Sequence, residues 1–251
     1  MTDNAWENFA KQNPYWAVLT DPRYKTGNTP LPAELQAQFF RSGEEHIQRV
    51  MNVLHRHFDR RFSAQDTCLD FGSGVGRLLL PMARHCGRAI GIDVSETMRR
   101  LCMQHALDLR IGNVACHDTI DHPALAETGF DWVNSYIVFQ HIETSKGYAS
   151  LRTILGKVRR GGVISIHLTV FKDTKLLNYI TDKSKYFCVN ESGISKIETQ
   201  EPYYNEDAMM MNDYDMTKIN IILTEYGFKK IFAEHENQDG MHGYILYSIK
   251  E

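Results

Sequence analysis

The chain has 251 residues, 43% hydrophobic and 24% charged, a composition that excludes a disordered, collagen-like or coiled-coil protein. Lysine and arginine number 28 against 31 acids, for a net charge of −3, so the chain as a whole has no pull on phosphate backbones and nucleic acid is not an expected partner. Five cysteines at 68, 86, 102, 116 and 188 contain no C-x-x-C and read as reduced thiols of a cytoplasmic protein rather than a disulfide framework or zinc site.

The opening MTDNAWENFAKQNPYW lacks a basic region followed by an apolar one, so no signal peptide is expected. No stretch approaches the ~18 apolar residues that a membrane span needs. Residues 1–34 read as irregular, with several aromatics. From Leu35 a helical pattern appears, and Ile47, Val50, Met51, Leu54 and Phe58 share one face. Ser42 followed by Glu45 fits a capping box, which predicts a helix starting or restarting there.

Thr67–Phe71 reads as a buried strand and Arg77–Cys86 as a helix, with Pro81 in conflict. A second strand is expected over Arg88–Asp93, then a helix capped by Ser95 and running to about Leu107. Strands over 114–118 and 130–136 follow, then a helix closed by Arg159–Arg160 and two glycines, and a strand over 163–168. A polar, acidic stretch, 171–215, breaks the alternation. A helix over 216–226 and strands over 228–234 and 244–249 end the chain, with Asp239–Gly240 as the turn of an antiparallel pair. Alternation of this kind predicts a mostly parallel, doubly wound α/β sheet.

The most informative stretch is Leu69-Asp70-Phe71-Gly72-Ser73-Gly74-Val75-Gly76-Arg77, where a strand gives way to a helix. Open α/β sheets bind ligands at the carboxyl ends of their strands, and glycines let a backbone turn sharply against a ligand. A dinucleotide fingerprint places its third glycine at position 77, which is Arg77 here, and no P-loop lysine is present. Asp93, closing the second strand, offers two oxygens to the hydroxyls of an adenosine ribose.

D-x-G-x-G-x-G after a first strand resembles motif I of the class I (Rossmann-like) S-adenosylmethionine (SAM) dependent methyltransferases. Phe130-Asp131-Trp132-Val133 and the apolar run ending in His141 are similar to the family's fourth-strand motif. The resemblance spans about residues 42–170, with 216–250 fitting the family's tail. It implies a seven-stranded sheet whose last strand is antiparallel, with SAM as cofactor and S-adenosylhomocysteine (SAH) as product. On that resemblance the cofactor falls to Asp70, Gly72, Ser73, Gly74, Gly76, Arg77, Asp93, Val94, Met98, Asp118, Ser135 and Tyr136. Residues 1–41 would be a lid, 42–170 the SAM-binding core, 171–215 an inserted substrate wall, and 216–251 the completing helix and strand pair. Tyr15, Trp16 and Tyr24 of the lid and Tyr186, Tyr203 and Tyr204 of the insertion would face the substrate.

Methyl transfer from a sulfonium is an in-line displacement in which the cofactor brings the reactivity and the protein the alignment. An oxygen or amine acceptor needs its proton removed, and His141 and His167 stand at strand ends on the expected edge. Asn134-Ser135-Tyr136-Ile137 departs from the N/D-P-P-Y/F/W motif of nucleic-acid amino-methyltransferases and offers no carboxylate pair for magnesium. The expectation is a metal-independent methyltransferase acting on a small molecule, oxygen preferred over nitrogen as acceptor. The rival readings are a non-catalytic SAM-binding partner or sensor and, less favoured by the glycine spacing, an NAD-dependent oxidoreductase.

Overall fold

Short apolar runs in the sequence become the central strands of one seven-stranded sheet, with half-buried strands at its two edges. A computed structural model of the chain describes residues 3–27, 29–173, 209 and 211–251. Its strands are β1 (Thr67–Phe71), β2 (Arg88–Ile92), β3 (Val114–His117), β4 (Phe130–Ser135), β5 (Val158–Lys172), β6 (Ile231–Gln238) and β7 (Met241–Ile249). They lie in the order β3-β2-β1-β4-β5-β7-β6. Only β7 runs against its neighbours, pairing antiparallel with both β5 and β6. The order reverses between β1 and β4, where a doubly wound sheet opens a crevice at its carboxyl edge.

The helices are α1 (Asp3–Gln12), α2 (Pro14–Leu19), α3 (Ala33–Phe58), α4 (Leu79–Ala83), α5 (Glu96–Asp108), α6 (Thr144–Gly156) and α7 (Met216–Glu225). Apolar faces of α6 and α7, including Leu151, Ile154, Ile219 and Ile222, cover one side of the sheet with Leu69, Val133 and Ile164. Ile47, Val50 and Leu54 of α3 cover the other with Leu79, Trp132 and Tyr247. Among the described residues no helix is long and apolar enough to cross a membrane, and no group of three or more His, Cys, Asp or Glu is placed to hold a metal ion.

Several boundaries differ from the sequence reading. The segment before the core is helical, as α1 and α2, rather than irregular. α3 runs unbroken through Ser42, whose hydroxyl donates to the Phe39 carbonyl (2.7 Å) instead of capping. The helix continues because Gly43 admits the backbone of Arg77: a Cβ there would lie 2.0 Å from the Arg77 carbonyl oxygen. α4 has five residues rather than ten, since turns extend the glycine loop to Leu78 and Pro81 supplies no N–H. β5 begins at Val158 and absorbs the expected glycine stop, with a register shift against β4 between Phe130 and Trp132. The hairpin β6–β7 turns at Asp239–Gly240, both with positive φ (51° and 89°), as expected for this dipeptide.

One polar chain crosses the sheet interior. The Trp132 indole N–H donates to Ser165 (2.8 Å), the Ser165 hydroxyl to Asn134 Oδ1 (2.7 Å), and the Asn134 amide to Asp70 Oδ1 (2.9 Å). Asp70 is 2% exposed, and burial pushes its carboxyl up to about 6 against the opposing effects of Asn134 and Arg77.

Candidate active site

The carboxyl edge of β1, β2 and β4 encloses a cavity of about 450 Å³, within the range of small-molecule and cofactor sites. Phe71, Gly72, Gly74, Ile92, Asp93, Val94 and Met98 line one side of it, Tyr136, Ile137, Val138 and His141 the other, and Trp6, Ala17 and Val18 of the first two helices the roof. Ile142, Glu143, Lys146 and Ser150 complete the lining around the start of α6.

The glycines have different duties. A Cβ on Gly72 would lie 2.3 Å from Val138, and one on Gly76 2.8 Å from Cys102 Sγ, so both spaces are filled by the protein's own side chains. Gly74 faces the cavity at φ +51°, where only Val18 of the roof comes near (2.9 Å from a built Cβ). Its N–H donates to Asp93 Oδ2 (2.8 Å), while Asp93 Oδ1 accepts from the Ser95 N–H (2.9 Å). Burial raises the Asp93 pKa, and those backbone donors and Arg99 oppose the rise. A carboxylate has about four lone-pair sites, so Asp93 keeps acceptor capacity toward the cavity.

After β4 the chain turns through Ile137 at φ +54°, a conformation that costs a β-branched residue about 1–3 kcal/mol. The turn sends Tyr136, Ile137 and Val138 to the cavity wall. His141 ends a 3₁₀ turn, Phe139–His141, and meets the Trp6 ring edge-on at 5.1 Å. The Tyr214 hydroxyl stands 2.9 Å from the carbonyls of Phe139 and Ile142 and fixes this turn.

The roof is latched. Glu7 accepts hydrogen bonds from the hydroxyls of Ser95 (2.7 Å) and Thr97 (2.6 Å) and from the Thr97 N–H (3.1 Å). Desolvation works against its charge, yet those bonds and Lys11 bring its pKa down to about 2. The latch is therefore ionised throughout the neutral range and is lost only as pH falls through about 2.

Of the residues expected at the cofactor, Gly72, Gly74, Asp93, Val94, Met98 and Tyr136 line the cavity. Asp70, Ser73, Gly76, Arg77 and Ser135 lie outside its lining. Asp70 joins the interior chain, Ser73 packs beneath Gly91, and the Ser135 hydroxyl donates to the Phe71 carbonyl (3.0 Å). Arg77 is 4% exposed, with its guanidinium 5.8 Å from the Tyr136 ring. Asp118 is exposed beyond β3 and also outside the lining.

The roof uses other side chains than those expected. Tyr15 meets His105 (3.0 Å) and Gln36 (2.8 Å), Trp16 carries Lys25 over its ring (4.9 Å), and Tyr24 is buried on Phe39 (5.4 Å). These three pin the segment down, leaving Trp6, Ala17 and Val18 to face the cavity. His141 lines it, whereas His167 is 1% exposed and sits behind Tyr136, ring centroids 5.2 Å apart. Tyr186, Tyr203 and Tyr204 lie outside the described residues. Glu143, Lys146 and Ser150, absent from the sequence reading, carried a signal in their i, i+3, i+7 spacing on one helical face.

Asp93→Ala should weaken SAH binding by about 1–3 kcal/mol if this carboxylate accepts the ribose hydroxyls. Calorimetric titration of SAH into the variant checks this, and an unchanged affinity would remove Asp93 from the site.

A family model described as a methyltransferase domain matches residues 69–166. A probable fatty acid methyltransferase of Mycobacterium tuberculosis is 26% identical over 143 residues, 56% of this chain but 34% of the relative, so the match spans about a third of that protein's length. The crystal structure of a magnesium protoporphyrin IX methyltransferase from Synechocystis, with bound SAH, superposes with a TM-score of 0.61 at 18% identity, covering 95% of this chain and 98% of that one. An N-methyltransferase of Bradyrhizobium japonicum in complex with SAH gives 0.58 at 13%, covering 98% and 97%. Matched domain, strand order and glycine loop agree: residues 69–166 match a methyltransferase domain, and the chain has the fold of the class I SAM-dependent methyltransferases.

Proposed function

We propose that this protein transfers the methyl group of SAM to a small molecule, with oxygen preferred over nitrogen as acceptor and without a metal ion. The observation that carries the reading is the cavity itself: bare backbone at Gly74 and a buried carboxylate at Asp93 face one cleft of about 450 Å³. This pairing suits an adenosine, with sugar hydroxyls toward Asp93 and the methionine portion along Gly74 and the Ile137 turn. When bound, SAM supplies an electrophilic methyl on a positively charged sulfur.

The chain's part is alignment and dryness. Trp6, Ala17 and Val18 roof the cavity, and Phe71, Ile92, Ile142 and Val138 give it mainly apolar walls. Holding both reactants in line can account for about 7–11 kcal/mol of the barrier. His141 is the histidine on the cavity wall, and we assign it as the candidate base there.

The decisive experiment is incubation of the protein with isotopically labelled SAM and metabolite extracts, followed by mass spectrometry. A labelled small-molecule product is expected, and its fragmentation separates O- from N-methylation. Absence of any product while SAH still binds would favour a SAM-binding partner or sensor. With the acceptor in hand, His141→Ala should lower kcat by about 10²–10⁴-fold if the imidazole removes the acceptor's proton. Turnover with an unchanged pH profile would remove His141 from that role.

A further inference from the structure

The glycine loop is held from two sides. In front, the Gly74 N–H donates to Asp93 (2.8 Å). Behind, one residue on, the Val75 carbonyl lies 3.1 Å from Nδ1 of His105, in the last turn of α5. Both His105 and Val75 are buried. Among the described residues no backbone N–H reaches that carbonyl, so the imidazole supplies its hydrogen bond. The other ring nitrogen, Nε2, is 3.0 Å from the Tyr15 hydroxyl of α2 and 3.3 Å from the Gln36 amide nitrogen of α3. That amide also donates to the Tyr15 oxygen (2.8 Å). Phe40 meets the ring edge-on at 4.9 Å and holds its plane.

A carbonyl only accepts, so Nδ1 of His105 carries a proton. Nε2 then offers its lone pair to the Tyr15 O–H, and the Tyr15 oxygen accepts from Gln36. Donors run one way, from Gln36 through Tyr15 and His105 to Val75, which fixes one tautomer of an uncharged ring. Glycine on both sides makes this anchor matter. Gly74 and Gly76 have φ of +51° and +91° and restrict the chain little, so the peptide between them takes its orientation from outside. His105, Tyr15, Gln36 and Val75 all lie outside the cavity lining.

Resting on the cofactor reading, we infer that His105 is a positioning residue for SAM: as the Nδ1–H tautomer, set by Tyr15 and Gln36, it holds the Val75 peptide and so presents the Gly74 backbone to the cofactor. A loop already in its bound shape spares the ligand the entropy of ordering it. The roof takes part through the same bonds. Tyr15 lies in α2 beside Ala17 and Val18, which line the cavity. One imidazole therefore sets the glycine loop below the cofactor and steadies the helix above it.

The test uses full-length protein with isotope-labelled histidine, the His105 resonances being identified by their loss in His105→Asn. Nitrogen spectra should show a protonated Nδ1 and a bare Nε2 in the parent, and exchange between tautomers in Tyr15→Phe. The reverse tautomer in the parent, or a ring still locked in Tyr15→Phe, overturns the chain of donors. Calorimetric titration with SAH should give an affinity about tenfold weaker in His105→Leu, the worth of roughly one hydrogen bond. In His105→Asn the amide N–H can stand where Nδ1–H stood, and most of the affinity should return although the bond to Tyr15 is lost. A ring that merely fills space would not separate these two variants, so equal affinities overturn the positioning role, as does parent-like binding in His105→Leu. Should His105→Leu fail to fold, Tyr15→Phe decides: SAH binding about threefold weaker is expected, and parent-like binding overturns the proposal. Failure of SAH to bind the parent instead brings down the cofactor reading beneath it.

Discussion

Gly74→Arg should abolish SAM and SAH binding, a loss beyond about 100-fold, while leaving the fold intact. Two separate effects add. Residue 74 has φ +51°, where an L side chain costs about 1–2 kcal/mol, and that cost falls on stability. The side chain itself projects toward Val18 and into the cavity that Gly74 borders, so it occupies the ligand's place. Far-ultraviolet circular dichroism should match the parent, with a small fall in Tm, while calorimetry with SAH shows no heat of binding. An unchanged affinity would falsify the placement of the cofactor on this loop. Gly72 and Gly76 make poorer test positions, because their spaces are filled by Val138 and by Cys102 and Leu80, and a substitution would damage packing.

Asp70→Asn should stabilise the protein at neutral pH by about 1–3 kcal/mol. The folded-state pKa is raised to about 6 from 3.8, so the folded protein holds this proton more tightly than the unfolded chain. Below the unfolded value both states are protonated and the group contributes nothing. Between the two values the folded state binds more protons, and stability falls as pH rises. Above about 6 the whole penalty of a buried carboxylate is present. The amide keeps an acceptor for Asn134 and carries no charge. Urea unfolding at a series of pH values should show the parent losing stability across this window and the variant lacking that component. Identical slopes for the two proteins would mean that Asp70 is not held as its burial demands.

Where single residues decide local geometry, the sequence was readable: Asp239–Gly240 makes its turn, and Asp93 and Gly74 meet at the cavity. β1, β2 and β4 were legible because each buries a continuous apolar run, whereas the edge strand β6 alternates between half-buried and exposed residues and lies at Ile231–Gln238 rather than 228–234. What failed depended on partners far away in sequence. Ser42 looks like a cap until Gly43 is seen to admit Arg77 from the glycine loop. The aromatics before the core look alike on paper, yet Tyr15, Trp16 and Tyr24 are tied to residues outside the cavity while Trp6 roofs it. His141 and His167 both end strands or follow them, but only the register of β5 against β7 and the left-handed turn at Ile137 put one on the cavity wall and the other behind it.

The relay from Trp132 through Ser165 and Asn134 to Asp70 also acts on assembly. Its four members sit on three neighbouring strands, and each finds its mate at a single alignment. Were β4 to slide by one residue during folding, its side chains would change faces, stranding an indole, a hydroxyl, an amide and a carboxylate away from water. Misaligned sheets thus lose several hydrogen bonds at once, and the same polar thread that penalises a charged Asp70 proofreads the arrangement of strands on which the cavity stands.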